Sequence, residues 1–270
     1  MSWRGLYWFI TRLALKLGGL LSDGVKLGHT TGFDSGSTLD YVYRNQHKGI
    51  TAIGKFIDSS YLNSIGWRGI RLRKANIEEM IGYASALLSK QGKSVHIMDV
   101  ASGHGRYILE AIDKMATEPD SILLRDYSEL NVEQGSALIK EKGLEEIARF
   151  VKADAFDPDS YLFVDSKPTL GVVSGLYELF PDNDLIRQSL KGFSNSIQEG
   201  GYLIYTGQIW HPQIEMIARA LTSHRQGAAW VMRRRTQEEM DQLVEAAGFE
   251  KIAQRIDEYG IFTVSLAQKK

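Results

Sequence analysis

From residue 95 onward the chain alternates between two hydrophobic rhythms. Short apolar runs, "VHIMDV" (95–100), "SILLRD" (121–126), "ARFVKAD" (148–154), "TLGVVSG" (169–175) and "GGYLIYTG" (200–207), have the length and composition of buried strands. Between them apolar residues recur every three or four positions, which predicts helices from about Arg106 to Met115, from about Glu129 to Lys142, and across "DNDLIRQSLKGFSNSIQ" (182–198). That alternation predicts a parallel sheet with helices on both faces. Thr236 opens one more helix, "TQEEMDQLVEAAGF", in which Glu239 completes a capping box, Met240, Leu243, Val244 and Ala247 share a face, and Gly248 is the stop. The β-like segments that follow, "EKIAQRIDEY" and "GIFTVSLAQK", are separated only by a bend at Tyr259 and Gly260, so they pair antiparallel. The expected fold class is α/β, a seven-stranded sheet whose five parallel strands are finished by an antiparallel hairpin.

The front of the chain follows neither rhythm cleanly. Residues 1–22, "MSWRGLYWFITRLALKLGGLLS", hold Arg4, Arg12 and Lys16 but no acid. Read as a helix, they place Trp3, Tyr7, Ile10, Ala14, Leu17 and Leu21 on one face, widened by the apolar residues at 8, 9, 13 and 15. The charges at 12 and 16 break the run well short of the ~20 residues of a membrane span, and no cleavage site follows a signal-like apolar core. Two fates fit: docking on the protein's own body, or lying in a membrane interface with the basic residues toward head groups. From Asp23 to about Arg73 the sequence is rich in glycine and reads as an irregular cover. Asn76, with Glu79 three residues on, then reads as the cap of a helix carrying Ile77, Met80, Ile81, Ala84, Leu87 and Leu88. The expected division is a helical or irregular cover, 1–75, and a main domain, 76–270.

Charge and composition narrow the chemistry. A formal net charge of −1 provides no overall basic field, so nucleic acid is not expected as a partner. The absence of cysteine excludes disulfides, thiolate metal sites and cysteine nucleophiles. The six histidines show no pair at helical metal-ligand spacing, and no metal is expected. The plain reading is a cytoplasmic protein, peripheral at the inner membrane if residues 1–22 take the second of their two fates.

Ligands of an open α/β sheet bind beyond the carboxyl ends of its strands, near the point where strand order reverses. Four such places carry candidate residues. The first strand ends in Asp99 and runs through Ala101, Ser102, Gly103, His104 and Gly105 to Arg106, a bend whose glycines let the backbone approach a ligand. Asp126 closes the second strand 21 residues beyond Gly105, where a carboxylate can accept from both hydroxyls of a ribose, with Tyr127 placed to lie on the base. In "KADAF", Asp154 can accept from an adenine amino group while Ala155 and Phe156 flank the ring, although such an Asp also serves as an ordinary turn residue. After the fourth strand, Ser174 and Gly175 fall nearest a cofactor, and Tyr177 and Glu178 are side chains that could reach an acceptor; Glu178 could equally form an ion pair at a helix start.

The bend at Asp99–Arg106 resembles motif I of the methyltransferases, and residues 76–270 resemble a class I S-adenosylmethionine-dependent methyltransferase with a Rossmann-like fold. The front segments "GSTLDYVYRNQ" and "GWRGIRLRK" further resemble a bacterial methyltransferase family associated with α/β-hydrolases, which implies a functional link to such a hydrolase. The resemblance implies S-adenosylmethionine as cofactor, held by Asp99, Ala101, Ser102, Gly103, Gly105, Arg106, Asp126, Tyr127, Asp154, Ala155, Phe156, Ser174 and Gly175. The expected acceptor is a small molecule or a lipid-like one, the latter suggested by a phosphate-binding arginine in the run Arg233–Arg235 together with the basic, aromatic N-terminus. A hydroxyl acceptor would need a base, and His211 in "QIWHPQ" and Glu178 are the candidates, with Tyr177, beside Glu178, as a further catalytic candidate. His104 reads as cofactor wall. Arg71 and Arg73 read as a clamp for a carboxylate or as a solvated pair, and Arg233–Arg235 as a phosphate-binding or solvated run.

Two other readings stay open: an NAD-dependent oxidoreductase and a non-catalytic module that binds S-adenosylmethionine. Against the first, a dinucleotide fingerprint needs a third glycine where Ile108 stands. "GKS" (92–94) is not a phosphate loop, because Leu87 occupies the glycine position and a strand follows rather than precedes it. "GVVSG" does not have the spacing of a serine-hydrolase elbow.

Overall fold

The computed structural model describes residues 2–162 and 166–270. The chain divides into two compact units, one formed by residues 1–72 with 211–232, the other by residues 73–210 with 233–270.

Among its described residues the second unit is built on seven strands: β1 (His96–Val100), β2 (Ser121–Asp126), β3 (Ala148–Lys152), β4 (Leu170–Val173), β5 (Tyr202–Gln208), β6 (Phe249–Ile256) and β7 (Phe262–Lys269). They lie in the order β3-β2-β1-β4-β5-β7-β6. β1 to β5 are mutually parallel, while β7 runs antiparallel to both β5 and β6. This is the sheet the sequence predicts. β1, β2, β4, β5 and β7 are buried along most of their length, as strands covered on both faces must be. The outer strand β6 instead exposes Glu250, Lys251 and Arg255, charges that discourage a further strand from pairing there. The order turns back between β1 and β4, whose register sets Asp99 opposite Val172, so the carboxyl ends of these two strands flank the reversal.

The α-helices among the described residues are α1 (Trp3–Gly18), α2 (Asp23–Thr31), α3 (Gly36–Arg44), α4 (Ala52–Leu62), α5 (Ile65–Lys90), α6 (Arg106–Ala111), α7 (Glu129–Glu141), α8 (Asn183–Ser196), α9 (Ile214–Ala220) and α10 (Gln237–Ala246). In the second unit the predicted helices recur with small changes. α6 stops at Ala111 and passes into a 3-10 turn over Ile112–Lys114. Thr236 caps α10 by accepting from the Glu239 N–H, as its capping box predicts. α8 and α10 contribute Ile186, Leu190, Phe193, Met240, Leu243 and Val244 to a core shared with Met98, Val100, Leu203 and Tyr205 of the sheet.

The first unit departs from its expected irregularity. Residues 23–62 form three capped helices, with Ser22, Ser35 and Thr51 accepting from the N–H groups of Val25, Thr38 and Gly54. Their glycines mark close packing and not loops. A Cβ on Gly28 would lie 2.3 Å from the Phe33 ring, and one on Gly54 would lie 2.2 Å from the Leu21 carbonyl oxygen. The Asp58 carboxylate, wholly buried, collects Ser22 Oγ, the Gly24 N–H, the Tyr41 hydroxyl and the Lys48 N–H at 2.6–2.9 Å. Asp34 accepts from Ser223 Oγ and the His224 N–H, both at 2.6 Å, which ties residues 211–232 into this unit. Asn76 is not a cap: α5 begins eleven residues earlier, at Ile65, and runs through it. The cap signal was locally sound, but Trp67 and Ile70, both buried, give the preceding residues a packed face that carries the helix upstream. Among the described residues no helix is long and apolar enough to cross a membrane.

Candidate methyl-donor site

The bend after β1 is held by hydrogen bonds to the end of β2. The Ser102 N–H donates to the Arg125 carbonyl (3.0 Å), and Ser102 Oγ accepts from the Arg125 N–H (3.1 Å) while lying 3.0 Å from the Asp99 carbonyl. Ser102 is thus a fastener of the bend, 3 % exposed. Two glycines give the bend its path. Gly103 has φ +59°, and Gly105 has φ +72°, where a Cβ would also meet Leu124 Cδ1 at 2.3 Å. Ala101 adopts the same left-handed region, φ +58°, which costs an L-residue roughly 1 kcal/mol. The Gly103 N–H donates to Asp126 Oδ2 (2.9 Å), so bend and carboxylate form one construction. Asp126 Oδ1 takes the Ser128 N–H (2.9 Å) and Asn131 Nδ2 (3.0 Å). Tyr127, next in sequence, is 72 % exposed.

Asp99 sits beneath this bend, fully buried, and its two oxygens accept the Tyr107 hydroxyl at 2.8 and 2.7 Å. Burial pushes its carboxyl up to about 8, against the hydrogen bonds from Tyr107 and Ser102, and the Asp126 charge adds to the rise. A free aspartate loses its proton near ~4, so between that pH and about 8 the folded chain holds one proton that the unfolded chain has released. This group therefore makes stability fall as pH rises through that window. Asp99→Asn, which does not titrate, is expected to flatten the decline in urea-unfolding free energy between pH 5 and pH 8; an unchanged decline would assign it to other groups. Arg106, at the start of α6, donates to Glu110 at 3.0 Å.

The ends of β3 and β4 supply the next pieces. Asp154 is exposed and its Oδ1 accepts the Phe156 N–H (2.9 Å), an Asx turn that presents Ala155, buried, and Phe156, which meets Phe180 edge-on at 4.6 Å between ring centres. After β4, Ser174 is 8 % exposed and its Oγ has no hydrogen-bond partner among the described residues. Gly175 has φ +74° and donates its N–H to Thr206 Oγ1 of β5 (3.0 Å).

Glu178 and Tyr177 lie in different settings. Glu178 is buried, and its Oε1 accepts from Arg73 Nη1 at 3.3 Å. Arg73, 2 % exposed, also stacks over the Phe262 ring at 4.9 Å and packs so closely on Gly175 that a Cβ there would meet Nη2 at 3.0 Å. It is a buried partner of the site, not one of a solvated pair; Arg71 donates to the Leu62 carbonyl in the first unit. Tyr177 is placed away from the expectation that it reaches an acceptor: its hydroxyl pairs with Ser189 Oγ (3.0 Å) in the core, and burial raises its pKa. A small open pocket lies beside Glu178, lined also by Tyr177, Thr206, Gln208, Arg233, Arg235 and Gln237. Gln208, at the end of β5 and 5 % exposed, presents to it an Nε2 without a partner among the described residues. Sequence reasoning missed Gln208, although its place at a strand's carboxyl end was the signal.

Two arginines of the run, Arg233 and Arg235, are engaged within the protein, so the run is not a wholly solvated one. Arg235 donates to the carbonyls of Tyr177 (2.6 Å) and Phe180 (2.8 Å) and to Asn183 Oδ1 (2.8 Å), clamping the turn after β4. Arg233 binds Asn183 and Glu239, and Arg234 alone of the three is exposed. His211 belongs to the first unit: its Nδ1 accepts the Gln213 N–H (3.1 Å), and its Nε2 would lie 3.0 Å from a Cβ on Gly66 of α5. The structure thus gathers Asp99 to Arg106, Asp126, Ser174, Gly175 and Glu178 in the second unit around the strand reversal, and leaves His211 in the first.

A parallel sheet closed by a hairpin, with a glycine bend after β1 tied to an acid at the end of β2, is the Rossmann-like fold of S-adenosylmethionine-dependent methyltransferases. Solved structures share it: the magnesium protoporphyrin IX methyltransferase of Synechocystis PCC 6803, crystallised with S-adenosylhomocysteine, superposes with a TM-score of 0.58 at 12 % identity, covering 91 % of this chain and 97 % of that one. A "possible exported protein" of Bordetella parapertussis gives a TM-score of 0.65 at 15 % identity, over 87 % of this chain and 79 % of that one. An uncharacterized protein of Escherichia coli K12, YnbC, is 55 % identical over 261 residues, which are 96 % of this chain and 44 % of YnbC. The chain therefore spans less than half the length of that relative. Residues 1–269 match the family described as "Putative methyltransferase", and the chain belongs to it.

Proposed function

We propose that the protein transfers a methyl group from S-adenosylmethionine to a small-molecule or lipid-like acceptor, at oxygen. The observation that carries this reading is the bond from the Gly103 N–H to the Asp126 carboxylate: it fixes a backbone free of side chains beside an acid able to accept ribose hydroxyls. The residues present fit the cofactor, because the buried Ser174 Oγ, which lacks a partner among the described residues, and the exposed Tyr127 ring supply a hydrogen-bonding group and a stacking surface at the same strand ends. Asp154, Ala155 and Phe156 complete the base-binding side. S-adenosylmethionine, when bound, supplies an already activated methyl on a sulfonium.

The chain's own work is then to align the acceptor and keep water away. The pocket beside Glu178 is the acceptor site in this reading. Gln208 Nε2 donates to an acceptor oxygen there, and Arg73 holds the Glu178 carboxylate in place. A hydroxyl acceptor gives its proton to Glu178; His211, the other candidate base, belongs to the first unit. An α/β-hydrolase as functional neighbour rests on the resemblance of the front segments. Incubating the chain with methyl-labelled S-adenosylmethionine and fractionated cell extract is expected to place label in lipid or small-molecule fractions. Tight cofactor binding without label transfer from any fraction would instead make it a non-catalytic binding module.

A further inference from the structure

We propose that the first unit docks on a lipid surface bearing anionic head groups, through the outward faces of α1 and α4. This goes beyond the methyl-transfer reading and does not depend on it. α1 is two-sided. Its inner side carries Trp8, buried, and Arg4 and Arg12, which bind Glu215 and the Arg219 carbonyl of α9. Its outer arc carries Trp3, Leu6, Tyr7, Phe9, Ile10, Leu13 and Leu17, all exposed, with Trp3 at 89 %. Docking on the protein's own body, the first of the two fates read from the sequence, thus uses only one side of the helix.

The exposed ground continues beyond α1. The Ile50 N–H donates to the Leu21 carbonyl (3.2 Å), and a Cβ on Gly18 would lie 3.5 Å from Ile57, so the end of α1 packs beside α4. There Leu20, Ile50, Ile53 and Phe56 are exposed, Phe56 at 72 %. Scattered apolar residues on a surface need no explanation, but an adjoining set of this size on two helices does.

Charge selects the occupant. The first unit holds eleven Lys and Arg against five Asp and Glu, whereas the second holds 21 against 28. Three of the first unit's acids, Asp34, Asp40 and Asp58, are buried, and Glu215 is engaged by Arg4 and Arg219. Lys16, Lys26, Lys48 and Lys55 are exposed. An aromatic and aliphatic face on a surface whose exposed charge is almost wholly positive has the chemistry of an anionic bilayer interface. A second copy of the chain fits less well, because a two-fold contact sets like-charged rims against each other.

Flotation of the full chain with phosphatidylglycerol–phosphatidylcholine vesicles is expected to show binding about tenfold or more tighter than with phosphatidylcholine alone, and weakened by salt. Ile10→Glu combined with Phe56→Glu, both at exposed positions, is expected to abolish flotation while leaving the melting temperature and S-adenosylhomocysteine affinity unchanged. Absence of flotation by the unsubstituted chain, equal flotation with both vesicle types, or flotation of the double variant at the original level would overturn the proposal. So would a concentration-dependent dimer, disrupted by the same substitutions, in a chain that ignores vesicles. Loss of S-adenosylhomocysteine binding in the unsubstituted chain would instead count against the methyl-transfer reading alone.

Discussion

Asp126→Asn is expected to weaken S-adenosylhomocysteine binding by about 100-fold or more, a loss of roughly 3 kcal/mol. Two effects add. The substitution removes the charge from hydrogen bonds to the ribose hydroxyls, and charged acceptors contribute about twice what neutral ones do. It also disturbs the support of the bend, because Asp126 accepts from the Gly103 N–H, the Ser128 N–H and Asn131 Nδ2, and an amide has one accepting oxygen where the carboxylate has two. Stability is therefore expected to fall by about 1–2 kcal/mol alongside affinity. Titration calorimetry and urea unfolding of the same variant separate the two effects. Affinity within a few-fold of the original would remove Asp126 from the cofactor site.

The second large effect concerns Arg73 and Glu178. Each is buried and each faces the other at 3.3 Å, so removing one leaves an uncompensated charge inside the protein. Arg73→Met and Glu178→Leu are each expected to cost about 3–5 kcal/mol of stability, and the double variant much less than their sum. The cycle also has a functional reading. The double variant is expected to recover the fold but not the turnover, since Glu178 borders the pocket proposed for the acceptor. Additive losses in stability would show that the pair is not coupled, and full turnover in the double variant would exclude Glu178 as the base.

The sheet was legible in the sequence because its strands are apolar runs of the right length, bounded by Asp99, Asp126 and the glycine pairs, and because no helical rhythm separates the last two. The glycine bend was legible for the same local reason. What escaped were features decided by distant partners. Gly28 and Gly54 look like loop residues until the Phe33 ring and the Leu21 carbonyl fill the space a Cβ would take. Arg73 looks like a surface arginine until Glu178, 105 residues away, is seen beside it. Tyr177 follows a strand end like a functional residue, yet Ser189 draws its hydroxyl into the core. Asp99 was expected to touch cofactor, whereas Tyr107 occupies both its oxygens beneath the bend. The strand-end rule points to the edge of the sheet where strand order reverses; which side chains face that edge depends on contacts no local pattern encodes.

Calorimetric titration of the purified chain tests most directly whether Gly103, Gly105 and Asp126 shape a site for an adenosyl sulfonium. One-to-one binding of S-adenosylmethionine and S-adenosylhomocysteine, with no heat from NADH, is the expected result. Heat from NADH and none from either adenosyl ligand would contradict it.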